Sequence, residues 1–164
     1  MNKYRIIFAV ILLFLYPSIG SGAEYLEMHV IDVGQGDAIL VKTPSGNNIL
    51  VDSGNLSAGY RVRQYLQSHG VSGLDAVIIT HMHPDHVGGL FSLVPGLEVK
   101  KMYDNGMVLA GDVFGEEYIR LTKNLKIQRQ VLGGGDELSF DSLSSSTPRY
   151  PVAPSWSARS PSYL

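Results

Sequence analysis

Apolar and polar side chains follow two different patterns along this chain. Residues 25–33 alternate in part between apolar and polar positions, which predicts a first strand. Residues 38–43 and 48–51 predict two more strands, with tight turns at 34–37 and 44–47. Three short strands joined by tight turns predict an antiparallel meander.

After the meander the pattern changes to helices alternating with strands. The spacing of Val62, Tyr65 and Leu66 predicts a helix over residues 60–69. Residues 74–80 form an almost wholly apolar run, typical of a strand buried on both faces. The elements predicted further along are a short helix at 90–94, a strand at 97–103, a helix at 112–124 and a strand at 125–132. This order predicts a mixed α/β sheet protein.

The N-terminal segment has the three parts of a secretory signal. Lys3 and Arg5 precede an apolar run over residues 6–16, and small residues lead up to Ala23. We therefore predict that residues 1–23 are a signal peptide cleaved near Ala23 and that the protein is exported, to the periplasm or the exterior. The apolar run is shorter than the ~20 residues of a spanning helix, so an N-terminal membrane anchor is the alternative.

The C-terminal segment differs from the rest in composition. Eight of the 24 residues in 141–164 are serine and four are proline. Such a composition predicts a disordered or loosely docked tail after a domain spanning residues 24–140. A frameshifted or truncated reading frame would produce a similar segment, and resequencing the locus would test that hypothesis.

Composition limits the chemistry and the partners. A chain of 164 residues allows one domain, and the lack of cysteine excludes thiolate ligands, disulfides and cysteine nucleophiles. The chain has 13 basic and 15 acidic side chains, and loss of Lys3 and Arg5 would leave 11 against 15. No strong basic patch for nucleic acid is therefore predicted.

Candidate chemistry is concentrated directly after the apolar run at 74–80. His81, His83, Asp85 and His86 lie within six residues, and imidazole and carboxylate groups are typical ligands of zinc. In an extended segment His81 and His83 would point to the same side. Asp85 and His86 would face a second position after a proline-forced bend. The cluster predicts a metal site built for two ions.

Two close metal ions can polarise a scissile group and lower the pKa of a bound water to roughly 7. Asp85 is placed to bind a metal and to orient that water. The alternative is that these are surface or helix-capping histidines, but open α/β sheets place their sites at the carboxyl ends of strands, as here. His29 and His69 are isolated, and we assign them structural roles.

Two stretches resemble a known family. Residues 81–86 read His-x-His-x-Asp-His after a buried strand, which resembles the signature of the metallo-β-lactamase-fold hydrolases. Residues 30–39 and 49–54 resemble the start of the hydrolase domain of ComEC-like competence proteins, which act in DNA uptake. The resemblance implies the αβ/βα sandwich of that family, of which we expect only the N-terminal half in this chain.

The resemblance also implies roles for individual residues. His81 and His83 would bind a first metal, and Asp85 and His86 a second, with Asp85 also orienting the attacking water. Asp52 would lie beneath the metal loop and support it; the alternative is an ordinary turn former at a strand end. The implied cofactor is Zn2+, as one or two ions, with Mn2+ as an alternative.

Three glycines near these stretches carry a further expectation. Gly34, Gly36 and Gly54 would let the backbone approach the site closely, the alternative being plain turn chemistry. Gly34 and Gly36 do not form a dinucleotide fingerprint, since the third glycine and the following helix are missing.

The expected function is an exported metal-dependent hydrolase of a phosphodiester, a nucleotide or another ester. The alternative is a truncated, non-catalytic fragment that binds metal at best. No histidine follows His86, whereas a complete domain of this family brings a bridging aspartate and a last histidine from its second half. An incomplete sandwich would also expose a sheet face, which favours self-association.

Overall fold

The computed structural model describes residues 25–140. The predicted signal peptide (1–23) and the predicted Ser/Pro-rich tail (141–164) lie outside the described residues. Within residues 25–140, no helix has both the length and the apolar character needed to cross a bilayer.

The described residues form eight strands and four helices in mixed order. The strands are β1 (Glu27–Val30), β2 (Ile39–Lys42), β3 (Asn48–Val51), β4 (Gly73–Leu74), β5 (Ala76–Ile79), β6 (Glu98–Val99), β7 (Lys101–Asp104) and β8 (Gln128–Val131). The helices are α1 (Gly59–Ser68), α2 (Pro84–Val87), α3 (Leu90–Leu93) and α4 (Val113–Asn124). The predicted mixed α/β sheet fold is confirmed.

Six strands form the central sheet in the order β1-β2-β3-β5-β7-β8. The first three are antiparallel, as the predicted meander requires. From β3 onward all neighbours are parallel, with Leu50 opposite Val77 and Val77 opposite Met102. The carboxyl ends of β3, β5 and β7 therefore meet at one edge of the sheet, where such sheets place their sites.

Two of the predicted strands are wrong in extent, because each is divided in the structure. The predicted strand at 74–80 breaks at Asp75, and that at 97–103 breaks at Lys100, so β4 and β6 pair in a separate two-stranded sheet. Lys100 Nζ lies 2.6 Å from Asp75 Oδ1, and the amide of Asn48 donates to Asp75 Oδ2. Burial raises the pKa of Asp75, but these bonds outweigh burial and hold the pKa below its usual value.

The helices cover one face of the central sheet. Helix α1 buries Val62 and Leu66 against it, in keeping with the predicted apolar spacing. Helix α4 begins after Asp112, whose side chain caps it by accepting a bond from the amide of Gly115. The sheet residues buried in this core include Leu40, Leu50, Val77, Ile79 and Met102.

The opposite face of the sheet, here called the open face, is also apolar. Strand alternation and register give it these outward residues from four strands: Met28, Val30, Ile39, Val41, Ile49, Val51, Ala76 and Ile78. Leu138 and Phe140 pack against part of it. The prediction that β5 is buried on both faces holds only in part, because Ile78 is half-buried.

Candidate metal centre

Three loops meet at the carboxyl ends of β3 and β5. The amide and the hydroxyl of Ser53 both donate to the carbonyl of His86, at 2.8 and 2.9 Å. The amide of Gly54 donates to the carbonyl of Asp37 at 2.8 Å, which brings in the loop between β1 and β2. Backbone bonds thus fix the metal loop, residues 80–87, against the loops that carry Asp37 and Asp52.

Asp52 lies beneath the metal loop and is 1% exposed. Its Oδ1 accepts the amide of Thr80 at 2.8 Å, and its Oδ2 accepts the hydroxyl of Thr80 at 2.7 Å. Oδ2 also lies 2.9 Å from His86 Nδ1. Asp52 has a φ of 55°, in the left-handed region that aspartate adopts more readily than most residues. The family resemblance implies that Asp52 supports the metal loop from below, and these contacts fit that role.

The bonds to Asp52 determine which nitrogens of two histidines carry protons. A carboxylate only accepts, so His86 Nδ1 donates to Asp52 and His86 Nε2 keeps its lone pair. The hydroxyl of Thr80 donates its proton to Asp52. The hydroxyl oxygen therefore accepts a hydrogen bond from His81 Nδ1, 3.0 Å away. His81 Nε2 therefore also keeps a lone pair, so each imidazole has one nitrogen with which it could bind a metal.

The structure places the predicted ligands side by side. The ring centroids of His81 and His83 are 4.5 Å apart, and those of His81 and His86 are 4.0 Å apart. Asp85 Oδ1 lies 4.0 Å from His86 Nε2. Pro84 begins the single turn of α2, which sets Asp85 and His86 after the predicted bend.

Within residues 25–140 one group of three has ligand atoms that all lie within 4.8 Å of one another: Asp37, Asp52 and His86. His81, His83 and Asp85 adjoin that group without belonging to it. An imidazole with carboxylates is a donor set that suits a divalent ion such as zinc or manganese. The triad could therefore hold a metal.

Asp37 is the site residue that the sequence analysis missed. Its Oδ2 lies 3.8 Å from His86 Nδ1, and its side chain is well exposed to solvent. The only signal in the sequence was its position directly after the Gly-Gln-Gly turn, where it reads as an ordinary turn residue.

The three predicted glycines differ in what surrounds them. A Cβ at Gly36 would lie 1.7 Å from the carbonyl oxygen of Asp85, so only glycine allows this approach to the metal loop. A Cβ at Gly54 would lie 2.7 Å from Ala58 Cβ and 2.8 Å from Val33 Cβ. A Cβ at Gly34 would meet nothing within 4 Å, so Gly34 fits the alternative of plain turn chemistry.

Two further glycines allow helix α1, the start of α3 and the loop after β3 to pack closely. A Cβ at Gly89 would lie 2.0 Å from the carbonyl oxygen of Ser53, and one at Gly59 would lie 2.2 Å from that of Gly89. The sequence analysis missed this role, because it depends on how these segments pack in space.

A small pocket of about 170 Å³ opens beside the histidines. Its lining consists of His81, Met82, His83, Asn105, Met107, Leu109 and Asp112. Asn105 joins the pocket to the metal loop, because its Nδ2 donates to the carbonyl of Thr80 at 2.9 Å. A substrate in this pocket could contact His81 and His83.

Asp104, at the end of β7, stabilises the fold near the site. Arg129 donates to both of its carboxylate oxygens, at 2.5 and 2.6 Å, and Tyr118 Oη donates at 3.0 Å. The amide of Gly106 donates to Asp104 Oδ1 at 2.8 Å, which fixes the loop that begins at Asn105. Burial, and next the charge of Asp104, raise the pKa of Tyr118 far above its usual value.

His29 and His69 lie away from the metal loop and pack on one tyrosine. His29 Nδ1 lies 3.1 Å from Tyr65 Oη, and its Nε2 lies 3.1 Å from a carboxylate oxygen of Glu27. The ring of His69 stacks on that of Tyr65 with centroids 4.1 Å apart. These contacts fit the structural roles assigned to both histidines.

Comparisons with known proteins show which family this sequence and fold resemble. The sequence pattern of the Metallo-beta-lactamase superfamily matches residues 31–106, which include β2, β3, Asp52 and the whole metal loop. A metallo-beta-lactamase-like structure from Thermotoga maritima aligns with TM-score 0.52 and 18% identity over 71% of this chain and 63% of that one. That likeness shows the fold, and the predicted resemblance to the metallo-β-lactamase family is confirmed.

Curated relatives extend the comparison to bacterial proteins of known name. ComE operon protein 3 of Bacillus subtilis (strain 168) is 32% identical over 108 residues, covering 56% of this chain and 14% of that protein. Anti-Pycsar protein Apyc1 of Paenibacillus harenae is 37% identical over 68 residues, covering 38% of this chain and 28% of that protein. The chain thus spans less than a third of the length of either relative. The similarity to the ComE protein agrees with the predicted resemblance to ComEC-like proteins.

Proposed function

We propose that this chain is a metal-dependent hydrolase that uses a metal-activated water to cleave a phosphodiester, a nucleotide or another ester. One observation carries the proposal: the Asp52 carboxylate and the Thr80 hydroxyl hold the Nδ1 protons of His86 and His81. This arrangement leaves two adjoining imidazoles with free Nε2 lone pairs. A purely structural histidine pair does not need such control of its tautomers.

The proposed ligands are those of the metal loop. His81 and His83 would hold one ion, and Asp85 and His86 a second; the exposed carboxylate of Asp37 lies on the Nδ1 side of His86. When bound, zinc or manganese supplies Lewis acidity and lowers the pKa of water toward neutrality. Asp52 would remain the support, because its Oδ2 already accepts two bonds.

The chain's own groups would perform the other tasks. Asp85 would orient the attacking water, since its carboxylate lies on the Nε2 side of His86. Asn105 would hold the pocket wall against the metal loop through its hydrogen bond to the Thr80 carbonyl. The buried Asp104 would hold that wall in place through its bond to Gly106.

The proposed substrate class is a phosphodiester in preference to a β-lactam. Residues 30–39 and 49–54 resemble the start of the hydrolase domain of ComEC-like proteins, and this similarity supports the choice. Because the composition predicts no strong basic patch, we propose that the metal and local lysines hold the anionic substrate.

We further propose that the protein works after export. The support is the arrangement of Lys3, Arg5, the apolar run and Ala23. Cell fractionation with mass spectrometry of the product tests this, and a soluble exported product that begins at Glu24 is expected. An intact Met1 on a membrane-bound product would favour the N-terminal anchor instead.

Hydrolysis of a bis-aryl phosphate by the purified, metal-loaded protein tests the proposal. Turnover should be lost in His81→Ala and kept in His69→Ala, a control histidine that packs on Tyr65. A β-lactam assayed in parallel should give no comparable turnover. Absence of bound zinc and manganese, together with hydrolysis indifferent to His81→Ala, would contradict the proposal.

The second candidate function is metal binding without turnover. One observation favours it: the carboxylate of Asp104 at the end of β7 accepts bonds from Arg129 on both oxygens, so it is not available as a further metal ligand. Saturable metal binding in a protein that hydrolyses none of the tested esters would select this candidate.

A further inference from the structure

A loop with two exposed apolar side chains lies beside the candidate metal centre. Residues 105–112 connect β7 to α4, and within this loop Met107 is 66% exposed and Leu109 is 69% exposed. Both line the pocket of about 170 Å³ that is also lined by His81 and His83. Ligand pockets combine apolar walls of this kind with a few polar groups that fix the orientation of the ligand. The loop is therefore a candidate for substrate recognition.

The chain's own contacts hold this loop in place on the helix side of the sheet. Asn105 Oδ1 accepts the amide of Met107 at 2.9 Å, and the Nδ2 of the same side chain donates to the metal loop. Val108 packs against the core that the helices cover. Gly115 of α4 leaves room for it, since a Cβ there would lie 2.9 Å from Val108 Cγ1. The loop thus presents Met107 and Leu109 to the pocket and lies away from the open face.

The size and the charge of the pocket limit what it can hold. Pockets that enclose a whole drug-sized ligand measure roughly 300–1,000 Å³, so a space of about 170 Å³ fits a single ring system. Apart from the two histidines, the only ionisable residue in its lining is Asp112. A phosphate group would be repelled by that carboxylate and would lie on the histidine side instead. The pocket therefore favours a neutral, flat group.

Asp112 adds a preference for a hydrogen-bond donor. Its Oδ1 caps helix α4 by accepting the amide of Gly115 at 3.1 Å, which leaves Oδ2 to accept from a ligand. A carboxylate only accepts, so the edge of the ring that meets it must carry an N–H group. A nucleobase combines the required features: a flat ring, no net charge and N–H donors on its edge.

We propose that this loop binds the base of a nucleotide substrate, an inference that rests on the proposed function and narrows it. The ring would lie on the apolar surface of Met107 and Leu109, and a polarisable thioether makes favourable contacts with aromatic rings. An N–H group of the base would donate to Asp112. The phosphodiester would then meet the proposed ion at His81 and His83, which line the same pocket. Met107 and Leu109 thus determine specificity, and phosphodiesters without a ring should bind poorly.

Methionine-methyl NMR of the zinc-loaded protein tests base binding without any turnover. Adenosine monophosphate should shift the methyl signal of Met107, and ribose phosphate, which lacks the base, should leave it nearly unchanged. Met28 lies on the open face and is also 66% exposed, so it serves as the internal control and should not shift with either compound. A Met107 signal that does not move would overturn the proposal. So would equal shifts of Met107 and Met28, or equal shifts with the two compounds.

Kinetics with matched variants separate this proposal from the proposed function. For the nitrophenyl ester of adenosine monophosphate, Leu109→Ser should raise KM by about tenfold with kcat nearly unchanged, because the lost contact is made equally in the ground state and the transition state. Val113→Ser is the control, since Val113 is 73% exposed at the start of α4 and does not line the pocket. It should leave KM unchanged. Circular dichroism verifies that both variants fold.

The two measurements fail in different ways. Hydrolysis by the parent with the same KM in Leu109→Ser would overturn the base site and leave the hydrolase function in place. No hydrolysis by the parent, with the Met107 signal still shifted by adenosine monophosphate alone, would overturn the hydrolase function and support the base site.

Discussion

The Oδ2 atom of Asp52 lies 2.9 Å from Nδ1 of His86, and the same oxygen accepts the hydroxyl of Thr80 at 2.7 Å. One buried carboxylate thus controls the proton of His86 directly and that of His81 through Thr80. Neutral imidazole binds metal through its unprotonated nitrogen. This control therefore leaves the Nε2 atoms of both histidines free to bind a metal.

Asp52→Asn should weaken zinc binding by about 10- to 100-fold without removing a binding site, because an outer partner of a ligating histidine is lost. Calorimetric titration of the metal-free protein measures affinity and stoichiometry together. Asp75→Asn is the control, since Asp75 is a part-buried carboxylate bonded to Lys100, away from the site. Loss of a whole equivalent of zinc in Asp52→Asn would instead make Asp52 a direct ligand.

Thr80→Val should weaken zinc binding by about tenfold, because the hydroxyl that links Asp52 to His81 is removed. Thr80→Ser keeps that hydroxyl and should bind as the parent does. The same calorimetric titration compares the two variants. Equal affinities for Val and Ser at this position would show that the hydroxyl does not set the state of His81.

Gly36→Ala should destabilise the fold more than Gly34→Ala. Both residues have positive φ, 89° and 78°, so each substitution costs about 1–2 kcal/mol in backbone strain. Only Gly36 also faces the carbonyl of Asp85, where the added methyl must displace the metal loop. Denaturant unfolding measures the free energies, and equal losses for the two variants would disprove the close approach.

Much of the fold and part of the site could be predicted from the sequence. The meander and the amphipathic helices follow from local spacing, and the histidine cluster is dense enough to stand out. Asp37 could not be predicted as a site residue, since its role depends on a loop returning to the metal loop in space. The contact of Gly59 with Gly89 depends on helix packing in the same way.

The divided strands show a second limit of local patterns. Asp75 is one polar residue in an apolar run, and Lys100 lies between Val99 and Lys101 in a stretch of mixed polarity, and a strand normally tolerates either. The two side chains pair across 25 residues at the point where both predicted strands divide, and β4 and β6 form a sheet of their own. A pairing of this kind is set by tertiary structure and leaves no trace in either segment alone.

Tyr118 should make stability depend on alkaline pH. Burial raises its folded-state pKa well above the value of about 10 expected in the unfolded chain. Its contribution is therefore complete below about pH 10 and is lost as the pH rises above that value, because the unfolded state then ionises first. The stability difference between the parent and Tyr118→Phe should narrow above pH 10. Thermal unfolding of both proteins from pH 7 to 11 measures this stability difference. A difference that stays constant over that range would contradict a raised pKa for Tyr118.

The central claim is that the metal loop binds a divalent ion through its histidines. Calorimetric titration of the metal-free protein with Zn2+ tests it most directly, with His86→Ala as the variant and His69→Ala as the matched control. We expect saturable binding of at least one ion per chain in the parent and in His69→Ala, and its loss in His86→Ala. No saturable binding in the parent, or equal binding in His86→Ala, would contradict the claim.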